Sequence, residues 1–200
     1  MKSLSQYIKE KLIINQRFDE KLIINKDYRD TKIAEPKSFD ELRKIIEDRY
    51  NKLGPGTKQN PIDFNDIDVS NIDSFCGKYE KGLFQKTKFK YIDISYWDVS
   101  NVYSMWHMFY ECTELESVGD ISKWDVSKVR YTGFMFYGCK KINQDLSEWN
   151  VSNVTDMQHM FAWCESFNQD LSNWNVSKVR YRGGIFTGCS IKMKYQPKFK

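Results

Sequence analysis

The chain has 200 residues, 40% of them hydrophobic and 29% charged, which excludes disorder along its whole length and suffices for one domain with a buried core. Its 31 basic and 27 acidic residues leave a net charge of +4, too small to indicate a nucleic-acid-binding protein. No apolar run approaches the roughly 18 residues of a membrane span, and no apolar stretch follows the early lysine as in a secretory signal peptide. We therefore expect a cytoplasmic protein with no membrane span.

The first 35 residues are predicted to form an amphipathic N-terminal arm. The segment Glu10–Asn15 recurs as Glu20–Asn25, which marks a ten-residue duplication, and Leu4, Ile8 and Leu12 fall on one helical stripe. This stripe predicts an arm that docks on the rest of the chain or on a partner.

Residues 1–10 also fit the pattern M-K-[ST]-x-x-[EQ]-[YF]-I-x-E. The pattern resembles the capsid-targeting leader of internal head proteins in T-even-like phages. This resemblance implies cleavage by a maturation protease after Glu10, with Ile8 in the recognised motif. It also implies a location inside a phage capsid as the alternative to the cytoplasm.

Residues 36–60 are predicted to hold a capping helix and a linker. Ser38 and Glu41 have the spacing of a capping box at the start of a helix over 38–53, and the sequence Gly54-Pro55-Gly56 predicts where that helix ends. The helix has an apolar face formed by Phe39, Leu42, Ile45, Ile46 and Leu53. Because the end of a repeat array would otherwise expose its core, we expect this helix to be the N-terminal cap.

Residues 61–190 repeat with a period of about 25 residues. Four tryptophans are each followed fifteen residues later by a cysteine: Trp97 and Cys112, Trp124 and Cys139, Trp149 and Cys164, and Trp174 and Cys189. The shared frame reads W-[DN]-V-S-[NK]-V and then [MI]-F-x-x-C, and a weaker copy at 67–72 brings the number of units to about five.

Each unit is predicted to contain one strand and one short helix. Around each tryptophan apolar and polar residues alternate, as in Trp124-Asp125-Val126, which predicts a strand. Ser127 and its equivalents are placed to cap a helix, and the apolar residues five, eight, eleven and twelve positions after each tryptophan fall on one helical face. The sequence thus predicts an α/β repeat fold, a β/α solenoid of about five coils with an N-terminal helical cap.

The repeat resembles a known family of surface proteins. The segment 149–157, the residues Met160, Phe161 and Cys164, and the connecting segment 167–172 resemble the BspA-like leucine-rich-repeat surface proteins of mycoplasmas and of oral and gut bacteria. This resemblance covers residues 61–190 and implies a leucine-rich-repeat-like β/α solenoid used for adhesion or protein binding, with no catalytic residues to carry over. The export signal of the surface members is not found in this sequence, so adhesion at a cell surface is not expected.

The cysteines are predicted to be core residues rather than ligands or disulfide partners. Their total of five is odd and no CxxC pair occurs, which argues against a disulfide framework and against a zinc ribbon. His107 and His159 each precede a cysteine by five residues, but they border the surface and do not complete four ligands aimed at one point. No nucleophile motif or phosphate-binding glycine loop occurs, so no metal, no cofactor and no enzymatic activity are predicted.

Two faces of the repeats are candidate binding surfaces. The first, the strand face, consists of the outward residues of the predicted strands: Tyr96, Asp98, Lys123, Asp125, Glu148, Asn150, Asn173 and Asn175. The second, the helix-side stripe, arises because alternate copies share a Lys-Val-Arg-Tyr sequence: Lys128, Arg130, Tyr131, Lys178, Arg180 and Tyr181. The polar and regular strand face suits a protein or glycan partner, and Asp98 beside Asp125 predicts a basic group on that partner.

The sequence therefore predicts a non-enzymatic protein-binding or glycan-binding repeat module. One alternative is a phage internal-head or virion structural protein directed by its leader. A second alternative is weak nucleic-acid binding through the basic ends, including the tail 191–200, where Ile191–Tyr195 is predicted to form an edge strand. The acidic balance of residues 61–189, with 17 acidic against 13 basic side chains, makes nucleic acid an unexpected partner.

Overall fold

A computed structural model describes residues 34–199 of the chain. Helix α1 spans Phe39–Leu53, and strands β1 (Ile62–Asp63) and β2 (Ile92–Asp93) pair in parallel with Ile62 opposite Ile92. Two 3₁₀ turns cover Lys78–Glu80 and Met193–Tyr195. Residues 1–33 of the predicted arm, which include the leader residues Ile8 and Glu10, lie outside the described residues.

The predicted leucine-rich-repeat-like β/α solenoid of about five coils is wrong. Within residues 34–199 there is one α-helix, α1, and it precedes the repeats. The two strands are two residues long, and the segments predicted to be helical after each tryptophan consist of turns. The edge strand predicted over Ile191–Tyr195 is also wrong, because its second half is the 3₁₀ turn Met193–Tyr195.

The residue after each tryptophan explains why no helix starts at the following serine. Asp98 Oδ1 accepts a hydrogen bond from the Ser100 amide at 3.0 Å, and Asp125 Oδ1 accepts one from the Ser127 amide at 3.1 Å. A side chain that bonds the backbone two residues ahead closes an Asx turn, which competes with helix formation. Ser127 is therefore a backbone donor inside a turn rather than a helix cap.

The backbone further along each repeat also excludes a helix. The tenth residue after each tryptophan has a positive φ, and so does the fourteenth: His107, Phe134, His159 and Gly184 at the tenth position, and Glu111, Gly138, Trp163 and Gly188 at the fourteenth. Residues with positive φ interrupt a right-handed helix, and side chains other than glycine are strained there.

Alternate amides of these turn segments donate to the next repeat. The Phe109 amide donates to the Met135 carbonyl at 2.9 Å, and the Phe136 amide donates to the Met160 carbonyl at 2.9 Å. Four such bonds, two residues apart, join each of the segments 105–111, 132–138 and 157–163 to its successor. Isolated parallel bridges connect the seventh residue after successive tryptophans: Ser104, Tyr131, Asp156 and Tyr181. The repeats therefore lie side by side in one hydrogen-bonded register.

The core predicted from the repeat frame is confirmed. Phe109, Phe136 and Phe161 are at most 1% exposed, and their rings stack at centroid distances of 5.3 and 5.7 Å. The cysteine thiols are part of the same ladder, since Cys139 Sγ donates to the Phe109 carbonyl at 3.0 Å and Cys164 Sγ donates to the Phe136 carbonyl at 3.0 Å. Each thiol thus satisfies a carbonyl of the preceding repeat.

Helix α1, predicted over 38–53, is observed over Phe39–Leu53 with the Ser38 side chain accepting from the Glu41 amide. The Glu41 carboxylate accepts from the Lys37 amide rather than from Ser38. Leu42 and Ile46 are fully buried, and Arg49 on the same helix binds Asp66 through two hydrogen bonds of 2.6 and 2.9 Å. Apolar burial and this ion pair hold α1 on the first repeat.

The five thiols are expected to react at two different rates. Burial raises the pKa of all five thiols, that of Cys76 to about 11 like that of Cys112, so access to the thiol rather than its pKa separates them. Cys112, Cys139 and Cys164 are fully buried. Cys76 and Cys189 are only half-buried. Labelling of the native protein followed by peptide mass spectrometry should therefore show modification at these two positions first. Fast labelling of Cys139 in the folded state would contradict the inward cysteine column.

The stacked phenylalanine column should carry a large share of the stability. We expect Phe136→Ala to lower the free energy of unfolding by about 3–5 kcal/mol, because the ring is 1% exposed and contacts rings on both sides. Phe134→Ala, two residues earlier and only half-buried, is the matched control and should cost less. Urea denaturation of both variants tests this prediction. Equal losses in the free energy of unfolding would show that the phenylalanine column contributes no more to stability than a half-buried ring.

Candidate functional site

A cavity of about 670 Å³ opens where the first repeats meet, and we name it the acidic trough. Its lining comes from residues 67–70, 93–99 and 120–125. Five carboxylates face it: Asp68, Asp93, Asp98, Asp120 and Asp125. The lining also includes Lys123, Tyr96 and the tryptophans Trp97 and Trp124. The trough therefore combines a strong negative charge with an aromatic wall.

Short-range turns position the carboxylates. Asp68, Asp98 and Asp125 occupy the same place in successive repeats, and each accepts from a serine amide two residues later at 2.9–3.1 Å. Asp93 accepts from the Ser95 hydroxyl at 2.7 Å, and Ser95 Oγ in turn accepts from the Asp120 amide at 2.8 Å. Serine amides and the Ser95 hydroxyl thus hold these carboxylates in place.

Two of these carboxyl groups have lowered pKa values. Hydrogen bonds from the Ser127 side chain and amide lower the pKa of Asp125, and the same donors of Ser122 lower the pKa of Asp120. Both groups are consequently ionised at neutral pH. The trough can attract a cation without any prior change in protonation.

The aromatic wall has one unusual group. Trp97 Nε1 donates to the Phe64 carbonyl at 2.8 Å, and Trp149 Nε1 donates to the Ile121 carbonyl at 2.9 Å. Trp124 is 6% exposed, and its Nε1 has no acceptor within residues 34–199. The hydrogen-bonding pattern of the tryptophan column is therefore interrupted at Trp124, one of the two tryptophans that line the trough.

The strand-face residues predicted from the sequence divide into two groups. All eight are exposed, although the strands predicted to carry them are absent. Four of them line the trough: Tyr96, Asp98, Lys123 and Asp125. The other four lie outside its lining: Glu148, Asn150, Asn173 and Asn175. The prediction missed Asp68, Asp93 and Asp120, because two of these belong to the connecting segments and one to the weak copy.

The residues of the predicted helix-side stripe are exposed, but no helix supports them. Tyr131 and Tyr181 both pair with Asp156, so they lie two repeats apart on one side. Lys128 Nζ donates to Asn101 Oδ1 at 2.9 Å, and Lys178 Nζ donates to Asn153 Oδ1 at 2.7 Å. These bonds to the preceding repeat explain the alternation of asparagine and lysine in the sequence.

A cluster of aromatic rings on the turn segments was not predicted. It extends over three repeats and consists of Trp106, His107, Tyr110, Phe134, Tyr137 and His159, with neighbouring ring centroids 4.9–6.4 Å apart. The sequence signal that could have found it is an aromatic residue followed by glycine at the same position of the next repeat. A Cβ on Gly133 would lie 2.6 Å from the Trp106 ring, and one on Gly184 would lie 2.4 Å from the His159 ring.

Neither histidine has the surroundings of a metal ligand. His107 Nδ1 lies 2.8 Å from the Glu80 carbonyl oxygen, and burial lowers the pKa of this histidine. The part of the chain from 34 to 199 contains no group of three or more histidine, cysteine, aspartate or glutamate side chains that could hold a metal ion.

Asp156 should make stability depend on pH. It is 6% exposed, and burial raises its pKa above the usual value, so the folded state favours the protonated form. Its contribution to stability is therefore lost as pH rises through the normal and then the raised pKa. We expect Asp156→Asn to stabilise the protein more at pH 7 than at pH 4, measured as the difference in Tm. A gain that is equal at both pH values would contradict this assignment.

Comparisons with known proteins identify the family. The family described as "Mycoplasma protein of unknown function, DUF285" matches residues 61–197, more than half of the chain, and the chain belongs to this family. Neither the curated proteins nor the solved structures yield a match. Within residues 34–199, no helix combines the length and apolar character needed to cross a bilayer.

Proposed function

We propose that this DUF285 member is a non-enzymatic binding module whose acidic trough takes a basic group of a protein partner. The observation that carries the proposal is the convergence of five aspartates on one cavity of about 670 Å³. An arginine or lysine side chain matches that charge, and its aliphatic stem or guanidinium plane can pack on the exposed ring of Tyr96.

The shape and electrostatics of the trough favour a polypeptide over a free small cation. Its carboxylates come from three neighbouring repeats, so a partner that spans them gains from several charges together. Exposed charges of this kind act over about 10 Å at 0.1 M salt and 3 Å at 1 M. Binding through the trough should therefore weaken as salt is raised.

The repeat sequence supports the same class of function. Its resemblance to the BspA-like surface proteins implies protein binding, with no catalytic residues to carry over. The phage alternative rests on residues 1–10, which lie outside both the described residues and the family match, and no observation favours it. Nucleic-acid binding through the basic tail is opposed by the charge of the trough.

A defined peptide probe tests the proposal. A library of short random peptides is selected on the full chain, and the selected peptides are expected to be rich in arginine or lysine. Asp98→Asn combined with Asp125→Asn should weaken their binding at least tenfold, measured by fluorescence anisotropy. Asparagine occupies the same turn position at 150 and 175, so both substitutions preserve the fold.

Two controls make the result specific. Asp145→Asn with Asp170→Asn removes two carboxylates from similar turns, bonded to Ser147 and Ser172, that do not line the trough. This pair should leave binding within twofold of the parent. Arg130→Ala with Arg180→Ala tests the helix-side stripe, and loss of binding in that variant alone would show that the trough is not the site.

A further inference from the structure

The fourth tryptophan repeat, residues 174–190, ends in an edge with unused hydrogen-bond donors. In the three preceding repeats the amides eight, ten, twelve and fourteen residues after the tryptophan donate to the following repeat at 2.7–3.2 Å. In the last repeat the corresponding amides of Gly184, Phe186 and Gly188 have no acceptor within residues 34–199. We name these three amides the terminal edge.

The tail of the described chain does not supply the missing acceptors. It runs from Ile191 along the preceding connection, where the Leu171 amide donates to the Tyr195 carbonyl at 2.8 Å. Further on, the Arg182 guanidinium lies over the Phe199 ring at 5.5 Å. Phe199 therefore packs beside the last repeat, and no acceptor for the three amides comes from the described tail up to residue 199.

Side-chain burial shows the same incomplete junction. Phe109, Phe136 and Phe161 are at most 1% exposed, because each ring contacts a ring of the following repeat. Phe186 stacks on Phe161 at 5.8 Å but is only partly buried, and among the described residues no aromatic ring stacks on its other side. Val179 and Cys189 are likewise partly buried, whereas their equivalents in the earlier repeats are buried completely.

We propose that the terminal edge is a docking site for a repeat of the same sequence frame on a second polypeptide. The three existing junctions define what fits there: a row of backbone carbonyls two residues apart, with a phenylalanine between them that stacks on Phe186. In the earlier repeats the phenylalanine carbonyl at this edge also accepts a cysteine thiol of the following repeat. A partner must therefore supply a row of carbonyls for the three amides and a thiol for the Phe186 carbonyl. An acceptor row of the kind at 156–162 is the complementary surface.

The opposite end of the same chain does not offer that surface. Helix α1 lies over the first repeat, and Arg43 Nη1 donates to the Gly82 carbonyl and, at 3.2 Å, to the Leu83 carbonyl. Head-to-tail addition of a second copy would require removal of this helix. The occupant is therefore a partner whose first repeat is not covered by a helix.

The probe is a second copy of residues 149–173, joined after residue 200 of the full chain by a flexible glycine-serine linker. Tethering raises its effective concentration to the millimolar range. Amide hydrogen exchange read by NMR should slow at least tenfold at Gly184, Phe186 and Gly188. Labelling of Cys189, in a Cys76→Ser background, should slow in parallel because its column becomes covered.

The matched control carries the same tethered residues in scrambled order and should leave both rates unchanged. Equal exchange with the native and scrambled tethers would overturn the proposal, and so would protection confined to other amides. Asp98→Asn with Asp125→Asn in the tethered protein should not alter the protection, because the terminal edge and the trough are separate surfaces. Failure of the trough proposal and failure of this one are thus distinguishable.

Discussion

The bond from an alternate amide of one repeat to a carbonyl of the next is the constraint on which the rest of this structure depends. It is made four times at each of three junctions, two residues apart. A backbone that points every second amide towards its neighbour cannot also form helical bonds to the residue four positions earlier. Residues ten and fourteen after each tryptophan accordingly adopt positive φ, although several of them carry large side chains. The phenylalanine column and the thiol bonds follow from the same spacing.

The register of the repeats also determines which side chains face solvent. Because each tryptophan is buried, the aspartate or asparagine beside it faces solvent at the same place in every repeat. Asp93 and Asp120 lie four residues before Trp97 and Trp124, and Asp98 and Asp125 follow the same tryptophans directly. The later repeats keep the first aspartate, as Asp145 and Asp170, but not the second. They carry asparagine at that second position, Asn150 and Asn175, and do not line the acidic trough.

The sequence contained the burial pattern but not the backbone conformation. Val102, Met105, Met108 and Phe109 are fully buried as predicted. Their spacing fits a helical face, but it fits overlapping turns with bonds between residues three apart equally well, and such bonds are observed from the Met108 amide to Met105 and from the Cys112 amide to Phe109. Periodicity alone cannot separate these conformations. The Asx turns were the missed signal, because Asp or Asn two residues before serine recurs in every repeat.

The candidate site was predictable to a similar degree. Exposed positions such as Asp98 and Asp125 follow directly from their place beside a buried tryptophan. The contribution of Asp93 depends on a long-range connection to the Asp120 segment through Ser95, which no local pattern encodes. The aromatic cluster depends on rings that lie over glycines about 25 residues later, such as Trp163 over Gly188. Contacts of that kind become visible only when the repeats are aligned in their actual register.

Scalar couplings across hydrogen bonds, measured by NMR on labelled protein, test the register most directly. The observed register predicts couplings from the Phe109 nitrogen to the Met135 carbonyl carbon and from the Phe136 nitrogen to the Met160 carbonyl carbon. A helical repeat would instead couple the Phe136 nitrogen to the carbonyl carbon of Thr132, four residues earlier. Observation of the Thr132 coupling, with none to Met160, would contradict this register.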